Sequence, residues 1–343
     1  MLDDLKMIHE RDAQDALGIA EKQWQQLTHD YEVKITLPSQ AIENIVFGGM
    51  GGSALCALIA QSWPGFNIPF EISRNYEIPA YVGSNTVFFA SSYSGNTEET
   101  LAALEAAEAK GAGIIVITSG GKLADIAKQK NYPLLSLPTG LQPRHAAFYG
   151  LKALLTATDA LGVTSYAAGE LARKSDFLQQ AVANWTATVP TAKNQAKQIA
   201  QEIIGKSAVI YSGPKLAPAA YKWKISINEN AKQIAWYGQY PEFNHNEFMG
   251  WTKQPVDKPY AVIDLRGTLE HPRVQKRFGI TEQLLSGLRP HPISVDAQGS
   301  DLLEQLLWTI ALGDFVSIYA ALLSGINPTP VELIEKLKDA LNN

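Results

Sequence analysis

One cysteine, Cys56, stands alone in a chain of 343 residues. An intrachain disulfide and any multi-cysteine metal cage are thereby excluded, and a reducing compartment is compatible. Its apolar neighbours Leu55 and Ala57 read it as a core-packing residue. An excess of positive charge is also missing: 29 Lys plus Arg against 34 Asp plus Glu leave a formal charge of −5. That balance argues against a nucleic-acid or anionic-membrane surface, so an anionic substrate needs a local site. No stretch of about 18 consecutive apolar residues occurs, and MLDDLKMIHERDAQDAL carries charge from position 3. Neither a membrane span nor a signal peptide is expected, and the cytoplasm is the expected location. Heptad arrays, low-complexity tracts and Lys/Arg clusters are absent as well, which leaves the chemistry to loops between regular elements.

Apolar residues make up 46% and charged residues 18%, a balance that supports packed cores. The length fits two domains of ~100–200 residues each. The first opens with IENIVFGGMGGSALCALIAQSW, an apolar run passing through glycines into an apolar helix. PFEISRN, TVFFASSYSGNTEETLAALEAAEAKG, GIIVITSGGKLADIAKQKN and PLLSLP repeat the alternation of β-rich run and helix. Such alternation predicts an α/β fold with a parallel sheet flanked by helices. From about Ala146 to Ile204 the apolar spacing turns helical, and SAVIYSGPKLAPAAYKWKISINENA then starts a second α/β series continued by YAVIDLR and HPISVDA. LLEQLLWTIALGDFVSIYAALLSG reads as a long buried helix, followed after Pro328 and Pro330 by a terminal helix in VELIEKLKDAL. The expected division is residues 1–155 and 156–343, the second including the helical connection.

Ser91-Ser92-Tyr93-Ser94-Gly95-Asn96-Thr97 gathers hydroxyls and a permissive glycine where a strand turns into a helix. Hydroxyls and free N–H groups at a helix start can hold phosphate, whereas capping alone needs one such residue. Gly48-Gly49-Met50-Gly51-Gly52-Ser53 imitates half of a dinucleotide fingerprint. The third glycine position is Ala54, and no acidic ribose partner follows convincingly, so a nicotinamide cofactor is not expected. A tight turn approaching a small ligand, or a plain packing turn, fits these glycines.

FGGMGGSAL, SSYSGNTEETL, ITSGGKL and PRHA resemble the sugar isomerase (SIS) domain of the bifunctional phosphoglucose/phosphomannose isomerase family. The similarity runs on through INENAKQIAWYGQYPEFNHNEFMGW, GDFVSIYAALLSGINPTPVE and the terminal LIEKLK. Asn327 in GINPTP stands where that family commonly has aspartate. The resemblance implies two flavodoxin-like SIS subdomains and a homodimer. It also implies that Gly52, Ser53, Ser92, Ser94 and Thr97 contact a sugar phosphate, with Ser92, Ser94 and Thr97 cradling the phosphate.

Arg144, in LQPRHA, resembles an arginine held near the sugar carbons, where a permanent cation stabilises a developing enediolate. Glu229, in SINENAKQIAW, corresponds to the shuttle that moves a proton between C2 and C1; a carboxylate partly withdrawn from water suits that role, and a helix-start carboxylate is the plain alternative. His245, in PEFNHNEF between Glu242 and Glu247, corresponds to the ring-opening acid/base that reaches the site from the other subunit. Lys338, with Lys336 beside it, matches a lysine assisting ring opening; a solvated lysine in a last helical turn is the alternative. FNHNE is no metal-binding array, and His9, His29, His271 and His291 match no catalytic motif.

The implied reaction is reversible aldose–ketose isomerisation of glucose 6-phosphate and mannose 6-phosphate to fructose 6-phosphate through a cis-enediolate, requiring no cofactor and no metal. Three alternatives stay open: a non-catalytic sugar-phosphate sensor, an isomerase of another phosphosugar, and the isomerase half of an amidotransferase. The sensor usually brings a DNA-binding domain, of which no basic helix-turn-helix is evident. The amidotransferase needs an N-terminal nucleophile, whereas Cys56 is internal.

Overall fold

A computed structural model describes residues 1–32, 34–35, 41–253 and 260–341. Two compact units divide the chain, Gln23–Asp176 and a second formed by Met1–Lys22 with Phe177–Asn343. The expected boundary at 155 therefore shifts, because it falls inside the helix Ala147–Ala160, whose Leu151, Leu154 and Leu155 are wholly buried. The N-terminal residues join the second unit through specific contacts. The Arg11 guanidinium donates to the Leu322 carbonyl at 2.6 Å, and the Asp3 carboxylate accepts from buried Lys197 at 3.0 Å.

In Gln23–Asp176 five strands form one parallel sheet: β1 Asn44–Gly49, β2 Phe70–Ser73, β3 Thr86–Ser91, β4 Gly113–Thr118 and β5 Leu134–Ser136. Their order is β2-β1-β3-β4-β5, the flavodoxin-like order that the family resemblance implies, and the parallel sheet is the one expected from the alternating pattern. β3 is buried along its whole length, and β1 and β4 beyond their first residues, because helices cover the sheet, which is why they read as continuous apolar runs. Val46, Phe88 and Val116 meet Leu104 and Leu123 from the helices Glu98–Ala109 and Gly121–Lys130 in one core.

The second unit carries β6 Ser207–Ser212, β7 Ala235–Gln239, β8 Tyr260–Arg266 and β9 Ile293–Asp296, all parallel, in the order β7-β6-β8-β9. The helix Ala217–Asn230 returns the chain from β6 to β7 and packs on the helix Leu302–Leu323. Leu302–Leu323 is long and apolar enough to cross a membrane, yet nearly all of it is buried inside this unit, as a core helix must be. Gly313 lets the two helices approach, since a Cβ there would lie 2.4 Å from the Trp223 ring. The Trp223 indole N–H donates to the Thr309 carbonyl at 2.7 Å.

Between these helices Lys222 and Asp314 form an ion pair withdrawn from water, and Ser226 donates to the same carboxylate oxygen at 2.9 Å. Removing one member leaves the other charged and unpaired in the core, a loss of about 3–5 kcal/mol. Asp314→Ala is therefore expected to lower unfolding free energy by about that amount in urea titration; a loss below about 1 kcal/mol would show that Lys222 finds another partner.

Candidate functional site

β3 ends at Ser91, at the carboxyl edge of the first sheet, and the helix Glu98–Ala109 begins seven residues later. Thr97 occupies the N-cap position, but its side chain makes no capping bond. Its Oγ1 lies instead 2.8 Å from Ser92 Oγ. Ser92 Oγ also accepts from the Gly95 N–H at 3.0 Å and stands 3.5 Å from Ser94 Oγ. Three hydroxyl protons shared over two hydroxyl–hydroxyl contacts leave one proton to turn outward. First-turn N–H groups without a side-chain cap add donors and the positive end of the helix.

The turn is braced from behind by a neighbouring one. Gly95 has φ +70, and a Cβ there would stand 1.8 Å from the Gly120 carbonyl oxygen. Ser119 Oγ donates to the Tyr93 carbonyl at 2.6 Å, and the Lys122 N–H donates to Asn96 Oδ1 at 3.1 Å. The ITSGGKL segment thus supports the hydroxyl turn, a role that local sequence reading does not give it.

Ser53 Oγ accepts from the Tyr93 N–H at 3.0 Å, joining the glycine turn after β1 to the hydroxyl turn after β3. Gly52 is needed for close approach: a Cβ there would lie 2.7 Å from the Arg144 nitrogen. Arg144 is buried, 1% exposed, in the turn Pro143–His145. A cavity of about 10 Å³ between these turns is lined by Gly52, Ser53, Cys56 and Tyr93 and has room for about one water. The Cys56 thiol donates to the Ser53 carbonyl at 3.4 Å, and burial pushes its pKa up to about 12, so it packs rather than reacts. Gly52, Ser53, Ser92, Ser94, Thr97 and Arg144 thus share one neighbourhood at the carboxyl edge of one sheet.

Glu229 belongs to the second unit, half-buried in the last turn of Ala217–Asn230, so the helix-start alternative does not hold. It lines a cleft of about 650 Å³ together with Ile234, Asn327, Pro330 and Ile334. Lys232, at φ +54, aims its ammonium at the carbonyls of Glu229 at 2.9 Å, Asn230 at 3.3 Å, Asn327 at 3.1 Å and Pro328 at 3.1 Å. One cation thereby closes the helix C-terminus and fixes the opposite wall of the cleft. Asn327 donates to Gln14 Oε1 at 2.7 Å and accepts from the Thr329 N–H at 3.1 Å.

His245 ends the turn Glu242–His245 beyond the carboxyl edge of β7 and is exposed, whereas Glu229 precedes the amino edge of the same strand. The five residues of β7 separate these edges by roughly 16 Å. Lys338 is exposed on the helix Glu332–Leu341 and pairs with Glu335 at 2.8 Å, one helical turn away. The second unit therefore presents Glu229, His245 and Lys338 from three different elements, with the first two at opposite edges of the sheet.

Residues 40–164 match the SIS domain family model, and residues 192–341 match that of the bacterial phospho-glucose isomerase C-terminal SIS domain. A bifunctional phosphoglucose/phosphomannose isomerase of Aquifex aeolicus is 35% identical over 302 residues, 87% of this chain and 90% of that protein. A D-glucosamine-6-phosphate 4-epimerase of Sulfolobus acidocaldarius is 34% identical over 243 residues, 71% of this chain and 75% of its own. The crystal structure of a glucose-6-phosphate isomerase like protein from Thermus thermophilus superposes with TM-score 0.66 at 18% identity, covering 98% of each chain.

Framework and exposed hydroxyl can be separated by mutation. Gly95→Ala should cost about 2 kcal/mol or more, because both its backbone conformation and the Gly120 carbonyl oppose a side chain. Exposed Ser94→Ala should stay within about 0.5 kcal/mol of the parent. Urea unfolding of the two variants decides, and equal stabilities would contradict the bracing described.

Proposed function

The chain belongs to the bifunctional phosphoglucose/phosphomannose isomerase family, and from this we propose that it interconverts glucose 6-phosphate or mannose 6-phosphate with fructose 6-phosphate. The observation that carries the reading is the hydroxyl cluster after β3, where Thr97 turns its Oγ1 to Ser92 and leaves the helix start without a side-chain cap. A doubly charged phosphate supplies acceptor oxygens for such donors and suits the positive helix end. Ser92, Ser94 and Thr97 hold the phosphate, and Gly52 and Ser53 let the sugar approach the backbone. Anchoring the substrate by a group remote from the reacting carbons contributes orientation, up to about 7–11 kcal/mol for ideal placement.

His245, assisted by Lys338, transfers the proton that opens the sugar ring. The Glu229 carboxylate then removes the C2 proton of the open-chain aldose, the C1–C2 enediolate forms beside the fixed charge of Arg144, the O2 hydroxyl proton passes to O1, and Glu229 returns its proton to C1 to leave the C2 ketone. The electron pair stays within the substrate throughout, so the reaction is redox-neutral. The enzyme works in the cytoplasm, as a homodimer. Opposite-edge placement of Glu229 and His245 on the second sheet supports a site that takes its histidine from the partner subunit.

Glu229→Gln removes the base but keeps the cradle, so turnover should fall roughly 10²–10⁴-fold while fructose 6-phosphate binding in calorimetry stays within a few-fold. Near-normal turnover would refute the role of Glu229. Mixing the impaired Glu229→Gln and His245→Ala homodimers under exchange should restore about a quarter of parental activity, because half of the dimers become mixed and each then holds one intact site. A mixture that remains inactive would place both residues in one subunit.

A further inference from the structure

The turn carrying His245 is held on both sides by one buried phenol, and we propose that Tyr211 and Glu247 are positioning residues that orient His245 for ring opening. The inference rests on the role given to His245 above. Tyr211 lies in β6, wholly buried. Its hydroxyl donates to Glu247 Oε1 and accepts from the Trp251 indole N–H at 3.1 Å. Burial first, and then the neighbouring carboxylate, push the phenol well above its ordinary range, so it stays protonated as a donor.

Phe243 precedes His245 by two residues and Glu247 follows it by two. Phe243 is buried with its ring centroid 4.4 Å from that of Tyr211. Tyr211 therefore grips the backbone before His245 through an apolar wedge and after it through a hydrogen bond to a carboxylate. Gly238 in β7 makes room for both partners, since a Cβ there would stand 2.8 Å from Tyr211 Cε1 and 3.2 Å from Glu247 Oε2. Between the anchors, Asn244 is tied to Thr281 at 3.0 Å and to Arg277 at 3.1 Å. The Asn246 side-chain oxygen Oδ1 accepts from the Glu247 N–H at 2.5 Å. His245 itself is exposed on the turn, so the tethers on either side set where the backbone presents its imidazole.

Tyr211→Phe deletes one oxygen and keeps the wedge. Steady-state kinetics and NMR-detected exchange of the glucose 6-phosphate anomers should fall together by about tenfold, with KM within about twofold. The residual activity of His245→Ala should not drop further when Tyr211→Phe is added, because both changes act through one imidazole. Glu247→Gln, whose amide oxygen still accepts from the phenol, should recover most of what Glu247→Ala loses. Equal losses from Tyr211→Phe with and without His245 would overturn the positioning role while leaving the His245 assignment intact. Full activity in His245→Ala alone would remove the premise, and this inference with it. Should Tyr211→Phe fail to fold by thermal melting, parental activity in Glu247→Ala would overturn the proposal, and a loss rescued by Glu247→Gln would sustain it.

Discussion

A parallel sheet delivers every strand to the same edge, and each chain must return across a face before the next strand begins. Turns at the carboxyl edge are consequently free to hold ligands, while turns at the amino edge close the crossovers. In the unit Gln23–Asp176 this constraint stacks the turns after β1, β3 and β4 side by side. Ser53 bonds the Tyr93 N–H of the next turn, and Ser119 bonds the Tyr93 carbonyl from the other side. Tyr93 is thus held through both backbone groups, and its phenol donates to the Pro138 carbonyl at 2.7 Å. The hydroxyls on either side of Tyr93 inherit that rigidity, which is what a phosphate cradle needs to avoid reorganising when charge arrives.

The same constraint in the second unit separates chemistry rather than collecting it. Glu229 sits where the crossover helix re-enters the sheet, so its surroundings come from the helix end, Lys232 and the Asn327–Pro328 segment. His245 sits where β7 leaves the sheet, on a turn held by contacts among Tyr211, Phe243 and Glu247. The proposed reaction uses both, and residues at opposite edges of one sheet are brought to a single site when another copy of the chain supplies one of them. On the mechanism proposed above, oligomerisation is then a requirement of the chemistry and not an accessory of stability.

Periodicity made the strands and helices legible, because apolar runs such as TVFFA and GIIVIT are what a doubly covered parallel sheet selects. The hydroxyl turn was legible for a related reason, since five hydroxyl or amide residues exceed what capping uses. What escaped was everything set by distant partners. Residues 1–22 fold onto the second unit through Arg11 and Asp3, contacts that no local pattern announces. Residue 155 lies inside the helix Ala147–Ala160, and in sequence a helix that packs inside one unit has the same spacing as one that links two. Tyr211 lies 36 residues before its carboxylate partner, inside a strand that reads as ordinary core. Glu247 was visible only as a charge beside His245, and Lys232 gave no sign that its ammonium would gather four carbonyls.

Glucose 6-phosphate and mannose 6-phosphate carry the same phosphate, so a cradle built from Ser92, Ser94 and Thr97 cannot tell them apart. Their sole difference lies at C2, and that difference vanishes when C2 becomes planar in the enediolate. One carboxylate can then serve both epimers if the bond between C2 and C3 turns while the phosphate stays anchored, presenting either C2 proton to the same oxygen. On the proposed mechanism, acceptance of the second substrate demands freedom of rotation about C2–C3, not a second base. Discrimination, where it exists, must therefore reside in the walls around C2 and C3 rather than in any residue that moves a proton.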